Sequence, residues 1–340
     1  MRKTASEWRI SMGGFDEIVG HERIIEHLTN SIRLNKVSHA YLFVGDKGVG
    51  KKTVAKAFAQ TLQCEEGGIR PCMKCKSCLQ SMSGNQPDIR MITHEKAAIS
   101  VDEIRSQLVN DAGIMPYAGP YKIYIVPDAH LLNAASQNAM LKTIEEPPGY
   151  VVVILIVDNK EALLPTILSR CVTVNFMPLP DKVITKYLME KQMVPDYAAV
   201  LAAAFSQGSV EKAVKIAVSK EYSDKKERLI EILRDIENVS ISQVISYARD
   251  NGEDKEFFND MLWVCRCWYK DVLMLKATAD LNEVLFKEEY KYLKKQSEYY
   301  SFEDIEKINQ GIDKAGLRYK ANVSLETIIE LLVLTMKKPM

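Results

Sequence analysis

At 340 residues the chain is longer than one hydrophobic core usually organises, and two or three domains of about 100 to 200 residues are expected. Its 45 basic residues balance 45 acidic ones, which removes any bulk electrostatic attraction to nucleic acid or to an anionic membrane. With 47% hydrophobic and 26% charged residues the composition is that of an ordinary soluble globular protein; no stretch approaches the ~18 uninterrupted apolar residues of a membrane span, the start MRKTASEWRISMGGFDE lacks the apolar centre of a signal peptide, and the cytoplasm is the expected compartment.

A helical pattern over 20–35 leads to the apolar segment HAYLFVG (39–45), the first expected strand. It runs directly into G45-D-K-G-V-G-K-K-T53 and a second helical pattern, 51–63. A strand, a glycine-rich loop and a helix in that order is the setting of a phosphate-binding loop, in which backbone N–H groups wrap phosphates, a lysine reaches their outer oxygens and the next hydroxyl holds Mg²⁺. Gly45, Gly48, Gly50 and Lys51 fit that pattern. The hydroxyl slot, however, is Lys52, which adds charge without coordinating a metal, and the nearest hydroxyl is displaced to Thr53.

Four of the seven cysteines follow within fifteen residues, as Cys64-x7-Cys72-x2-Cys75-x2-Cys78. In a reducing compartment such a cluster points to metal and not to disulfides. Four thiolates with short C-x2-C steps suit a closed tetrahedral zinc site, with an iron–sulfur cluster as the competing occupant, and four protein ligands leave no position for a reactive water, so a structural ion is expected. Cys171, Cys265 and Cys267 are scattered.

The strand-and-helix alternation continues through PDIRMIT (87–93), a helix over 101–110, KIYIVPD (122–128), a helix over 132–146 stopped by Pro147-Pro148, YVVVILIVD (150–158) and CVTVNF (171–176). The strands are apolar without alternation, as in a parallel sheet buried on both faces. KIYIVPD ends in Asp128, a candidate metal carboxylate, but Ala129 follows where a hydrolase needs a group to activate water. The segment L163-L-P-T-I-L-S-R-C171 places Arg170 ahead of the last strand, where it could reach a nucleotide held by an adjacent subunit. His39 and His130 beside the strands are expected to be packing or cap residues.

After MPLP (177–180) the pattern is helical to the end. Residues 181–220 divide into three short helices with a turn at Gly208-Ser209, and 224–340 carries longer amphipathic helices, among them 256–277 and 323–337. In the former, Phe257, Met261, Val264 and Trp268 recur at helical spacing and form one buried stripe. Tyr290, Tyr292, Tyr299 and Tyr300, set among lysines, are expected on a solvated helical face. The boundaries divide the chain into 1–178, 179–222 and 223–340.

S169-R-C171 with its preceding L-P-T-I-L, the helix N138-A-M-L-K-T-I-E-E-P-P148, the cysteine knuckle after the phosphate-loop helix, and F15-D-E-I-V-G-H21 form one ordered set. Together, over residues 15–180, they resemble the bacterial replicative clamp-loader family of the AAA+ class. The resemblance implies a RecA-like α/β domain carrying a zinc module at 64–78, a small helical lid, and an all-α collar that oligomerises. It also implies a pentamer with motor (gamma and tau) and delta subunits that opens the ring-shaped beta clamp and closes it on primed DNA. The motor subunits are expected to show G-K-[ST], D-E and a sensor arginine in G-S-x-R. This chain has Gly50-Lys51-Lys52, Asp128-Ala129 and Gly208-Ser209-Val210-Glu211, and a carboxylate at the last position repels phosphate. The resemblance therefore implies a subunit that lends Arg170 in trans as an arginine finger and fires little or no ATP itself, with weak nucleotide affinity. The alternatives are an active loader ATPase in which Thr53 takes over the metal, and a non-replicative adaptor on a decayed AAA+ fold.

Overall fold

The structure is a computed structural model describing residues 14–94, 98–251 and 255–337; the reading of the amino-terminal stretch before Gly14 lies outside the described residues. The chain separates into two compact units, Met1–Ile184 with Gln207–Lys212, and Thr185–Ser206 with Ala213–Met340. The turn expected at 208–209 thus belongs to the first unit.

Five parallel strands form the sheet of the first unit: β1 (Ala40–Val44), β2 (Ile89–Met91), β3 (Lys122–Val126), β4 (Val151–Val157) and β5 (Val172–Asn175), in the order β2-β3-β4-β1-β5. Register is fixed by pairs such as Tyr41↔Ile154 and Ile125↔Ile154. All seven residues of β4 are buried, because helices cover both faces and alternate side chains meet apolar partners either way. One face packs Tyr41, Phe43 and Ile154 against Leu28, Val54 and Phe58 of α1 (Glu22–Arg33) and α2 (Lys51–Leu62). The other packs Leu42, Val153 and Leu155 against a second set of helices. These are α4 (Val101–Ile104), which passes through a π-helical turn into α5 (Asn110–Ala112), then α6 (Ala134–Glu145) and α7 (Pro165–Leu168). Between α2 and β2 lies the short α3 (Lys76–Met82). Edge strand β5 buries Val174 alone of its four residues.

Local chemistry sets the helix starts and stops. Ser100 and Glu103 form a reciprocal capping box at α4, and the Asn133 side chain accepts the Ser136 N–H at α6. Pro165 opens α7, where its missing N–H costs nothing. The crossing order leaves the carboxyl ends of β1 and β4 side by side, the position at which open α/β sheets bind ligands.

The three short helices are α8 (Asp181–Gln192), α9 (Asp196–Ser206) and α10 (Val210–Val218). They are followed by α11 (Lys220–Arg234), α12 (Ile241–Asn251), α13 (Lys255–Thr278), α14 (Tyr290–Tyr299), α15 (Phe302–Lys320) and α16 (Leu325–Met336). In the second unit α13 is the central element, packed by α14 and α15. Met261, Val264 and Trp268 are buried as the stripe requires, while Phe257 lies half-buried at its edge against Tyr247. Trp268 Nε1 donates to Gln296 Oε1 (2.8 Å), whose Nε2 donates to Leu233 O (2.7 Å), joining α13, α14 and α11 through one buried amide. One tyrosine departs from the solvated face expected for it. Tyr300 is buried, its hydroxyl donating to Met336 O at 2.8 Å, because α14 ends there and the chain turns inward before α15. Among the described residues no helix is long and apolar enough to cross a membrane.

Candidate functional site

The loop from β1 to α2 has the shape its glycines require. Gly48 (φ +79°) and Gly50 (φ +104°) occupy left-handed conformations that L side chains resist, and Gly50 caps α2. The loop's root is pinned to the neighbouring strand by Gly45 N–H to Val157 O (3.3 Å), and its crown by His21 Nε2, which donates to Val49 O (2.7 Å). Lys51 is buried and turned back on its own chain. Its Nζ donates to Gly45 O, to Asp46 O (2.9 Å) and to Asp158 Oδ1 (2.8 Å). Lys52 and Thr53 are exposed on the first turn of α2, whereas Lys51 is buried.

Asp128, the carboxylate expected to serve a metal, stands exposed in a left-handed turn (φ 54°) after β3, with Ala129 buried behind it. Because β4 lies between β1 and β3, the carboxylate that reaches the phosphate-loop lysine comes from the tip of β4 instead. Sequence reasoning passed over Asp158, although it closes the apolar run YVVVILIVD as Asp128 closes KIYIVPD. His39 is half-buried, its carbonyl accepting the Val153 N–H; His130 is half-buried in the turn Ala129–Leu131.

Residues 208–211 lie against the phosphate loop within the same unit. The Glu211 N–H donates to Gly48 O (3.4 Å), and a Cβ placed on Gly48 would stand 2.1 Å from Ser209 Oγ and 3.3 Å from Glu211 Cβ. Gly48 is thus required twice, by its backbone and by the close approach of Ser209. The turn that carries a sensor arginine in the motor pattern brings a hydroxyl and a carboxylate-bearing residue here.

The four clustered cysteines converge. The Sγ atoms of Cys64, Cys72, Cys75 and Cys78 all lie within 4.8 Å of one another, and Cys72 and Cys78 are 4.0 Å apart. A Zn–S bond of ~2.3 Å gives a tetrahedron edge of about 3.8 Å, so the donor set fits one tetrahedral metal ion. Backbone N–H groups of Cys72, Cys75 and Cys78 each donate at 3.3 Å to the preceding cysteine sulfur, a pattern that favours thiolates. The Lys74 N–H holds the Cys72 thiol down to about 7, whereas burial pushes Cys78 up. The cluster is braced by Glu65, whose carboxylate accepts the Ser77 N–H (3.1 Å), and by the ion pair of Arg70 with Asp16. These four residues could hold a metal ion.

Arg170 sits just past α7, exposed. Its Nη1 donates to Thr166 O (2.9 Å) and Ser169 Oγ (3.1 Å), and its Nη2 pairs with Glu145 Oε1 (3.0 Å). The two sequence signatures T-I-E-E-P-P and L-S-R-C are therefore in direct contact.

A parallel sheet of this order, with a glycine-rich loop turning from the interior strand β1 into a helix at its carboxyl edge, has the arrangement of a RecA-like phosphate-loop fold, extended here by a helical carboxyl-terminal region. Residues 20–180 match the family described as DNA polymerase III, delta subunit. The chain is 28% identical over 323 residues to DNA polymerase III subunit delta′ of Bacillus subtilis, covering 93% of this chain and 96% of that protein. It is 35% identical over 218 residues to DNA polymerase III subunit tau/gamma of Haemophilus influenzae, covering 62% of this chain but 31% of that protein. Among solved structures, a gamma subunit-related protein of Thermotoga maritima aligns over 92% of this chain and 98% of its own, at 19% identity and a TM-score of 0.45. The chain resembles subunits of DNA polymerase III, and its match to the delta prime subunit runs over nearly the whole length of both chains.

Proposed function

We propose that the chain serves as the delta prime-type subunit of a DNA polymerase III clamp loader in the cytoplasm. In this reading it assembles with gamma/tau motor subunits and a delta subunit, and helps to place the beta sliding clamp on primed DNA without turning over ATP itself. The observation that carries the reading is the contrast between two cations. Lys51, which in a working loop reaches phosphate oxygens, is enclosed by Gly45 O, Asp46 O and Asp158, while Arg170 is kept at the surface on a fixed platform. The first arrangement suits a silent shell, with Lys52, Ala129 and Glu211 in place of groups that hold magnesium, activate water and stabilise phosphate. The second suits a guanidinium lent to a neighbour's ATP, where it offsets charge developing on the transferred phosphoryl group.

The role of the four-cysteine site is read as structural. Zinc held by Cys64, Cys72, Cys75 and Cys78 would tie the end of α2 to the start of α3 and supply no chemistry, since four thiolates complete its shell.

Reconstitution with motor and delta subunits tests the reading. A finger in trans is worth about 10³ to 10⁵ in rate, so Arg170→Ala in the assembled complex should lower ATP hydrolysis at the adjoining motor site by at least about 10³ while the variant still assembles and melts as the parent does. An unchanged rate in a fully assembled complex removes the finger role.

A further inference from the structure

We infer that Glu145 is a positioning residue for the Arg170 guanidinium, holding it in the orientation in which it meets a neighbour's phosphate. This rests on the finger reading above and goes beyond it.

The case begins with how little the Arg170 side chain has to hold it. An arginine carries several rotatable bonds, and an exposed one samples many rotamers unless its head is fixed; each rotamer away from the reactive one is lost rate in a step that depends on positioning. Arg170 is fixed at three points. Thr166 O and Ser169 Oγ take Nη1 from below, and both belong to the turn of α7 from which Arg170 itself projects. Glu145 takes Nη2 at 3.0 Å and belongs to a different element, the last residue of α6. Among the described residues only that contact sets the head relative to something other than its own turn.

The platform beneath the pair is rigid. Ile144 and Met140 of α6 and Ile167 of α7 share one core with the sheet, all buried. Gln137, also buried, joins the two elements through its amide: its Oε1 accepts the Leu164 N–H (2.7 Å), and its Nε2 donates to Ala162 O and Leu132 O (3.0 Å each). Pro147 and Pro148 end α6 just past Glu145, so the carboxylate projects from a fixed helix end. Against this base the Glu145 and Arg170 side chains are 42% and 38% exposed. Such an arrangement adds little to folding, since an exposed pair is screened; its geometric value, holding one face of the fork while the remaining N–H groups stay available, is what a finger needs.

The test uses the full chain assembled with its motor and delta subunits, comparing Glu145→Gln, Glu145→Asp, Arg170→Ala and the double variant Glu145→Gln/Arg170→Ala. Glu145→Gln should lower kcat for ATP about tenfold, the scale of one charge-assisted hydrogen bond, with KM and thermal midpoint unchanged, and Glu145→Asp should recover part of the loss. The double variant should be no slower than Arg170→Ala alone, because both changes act through one guanidinium. If Arg170→Ala is crippled while Glu145→Gln keeps or exceeds the parental kcat, the positioning role is wrong and the finger stands. If Arg170→Ala itself hydrolyses ATP at the parental rate, the finger reading fails and this inference with it.

Discussion

Two lysine–carboxylate pairs in the first unit look alike on paper and differ in burial. Lys51 pairs with an Asp158 side chain that is 47% exposed. Lys122 pairs with Asp111 at 3.0 Å with both side chains enclosed, and Asp111 also accepts from Tyr124 Oη (2.7 Å) and faces Arg90 at 3.1 Å. Solvent screening holds the first contribution to about 1 kcal/mol or less, whereas leaving Lys122 without its partner costs about 3 kcal/mol. Asp111→Asn should therefore destabilise the protein far more than Asp158→Ala in urea unfolding; equal effects would contradict the burial argument. Burial alone would raise the Asp111 carboxyl, but the Tyr124 hydroxyl and the Lys122 ammonium, with Arg90, outweigh it and keep the group below its ordinary value of 3.8. Its stabilisation is therefore complete above the unfolded value and lost as pH falls through the lower folded one. The stability difference between parent and Asp111→Asn should be flat at neutral pH and shrink only below pH 3.8. A gap that instead closed between pH 5 and 7 would give the carboxyl the wrong sign of shift.

The element that most needs help to keep its shape is the turn from α2 to α3, which has little regular structure of its own and is held by Cys64, Cys72, Cys75 and Cys78. Stripping metal should loosen residues 64–78 to protease while the parallel sheet, with its two apolar faces, keeps its far-UV signature. Alkylation at pH 8 should then mark those four thiols, Cys78 included once the loosened segment relieves its burial, and spare two that stay in the fold, where burial pushes Cys171 up to about 11 and Cys265 up to about 12. Metal content of about one zinc per chain before chelation, and four protected thiols, is the expected starting point; four thiols that alkylate equally fast with and without chelator would exclude the site. This module was legible because spacing alone brings C-x2-C ligands together. The strands were legible for a similar reason, as buried parallel strands are apolar on both faces, and so were the stop at Pro147-Pro148 and the turn at Gly208. Other features depend on which strands lie side by side. YVVVILIVD reads as a strand, but only the order β2-β3-β4-β1-β5 puts its terminal Asp158, and not Asp128, beside Lys51. Likewise nothing in T-I-E-E-P-P or L-S-R-C names the other as its contact; the Glu145–Arg170 pair follows from the packing of α6 on α7. Tyr300 was misplaced because a local run of tyrosines and lysines carries no sign of where α14 ends.

At the scale of the whole molecule, an α/β unit and a helical unit share one chain, and the chemistry is divided unevenly. The α/β unit keeps the loop, the lysine and the strand order of a nucleotide site, yet its lysine is enclosed, its metal-holding hydroxyl is displaced to an exposed turn, and Ser209 and Glu211 press on Gly48. What remains poised at the surface is Arg170, which the proposed reading lends to another subunit. The most direct measurement of that division is steady-state, magnesium-dependent ATP hydrolysis by the isolated full-length chain. The expected result is no saturable turnover above background; a saturable rate of about 1 per second or more, the low end of ordinary kcat values, would contradict it.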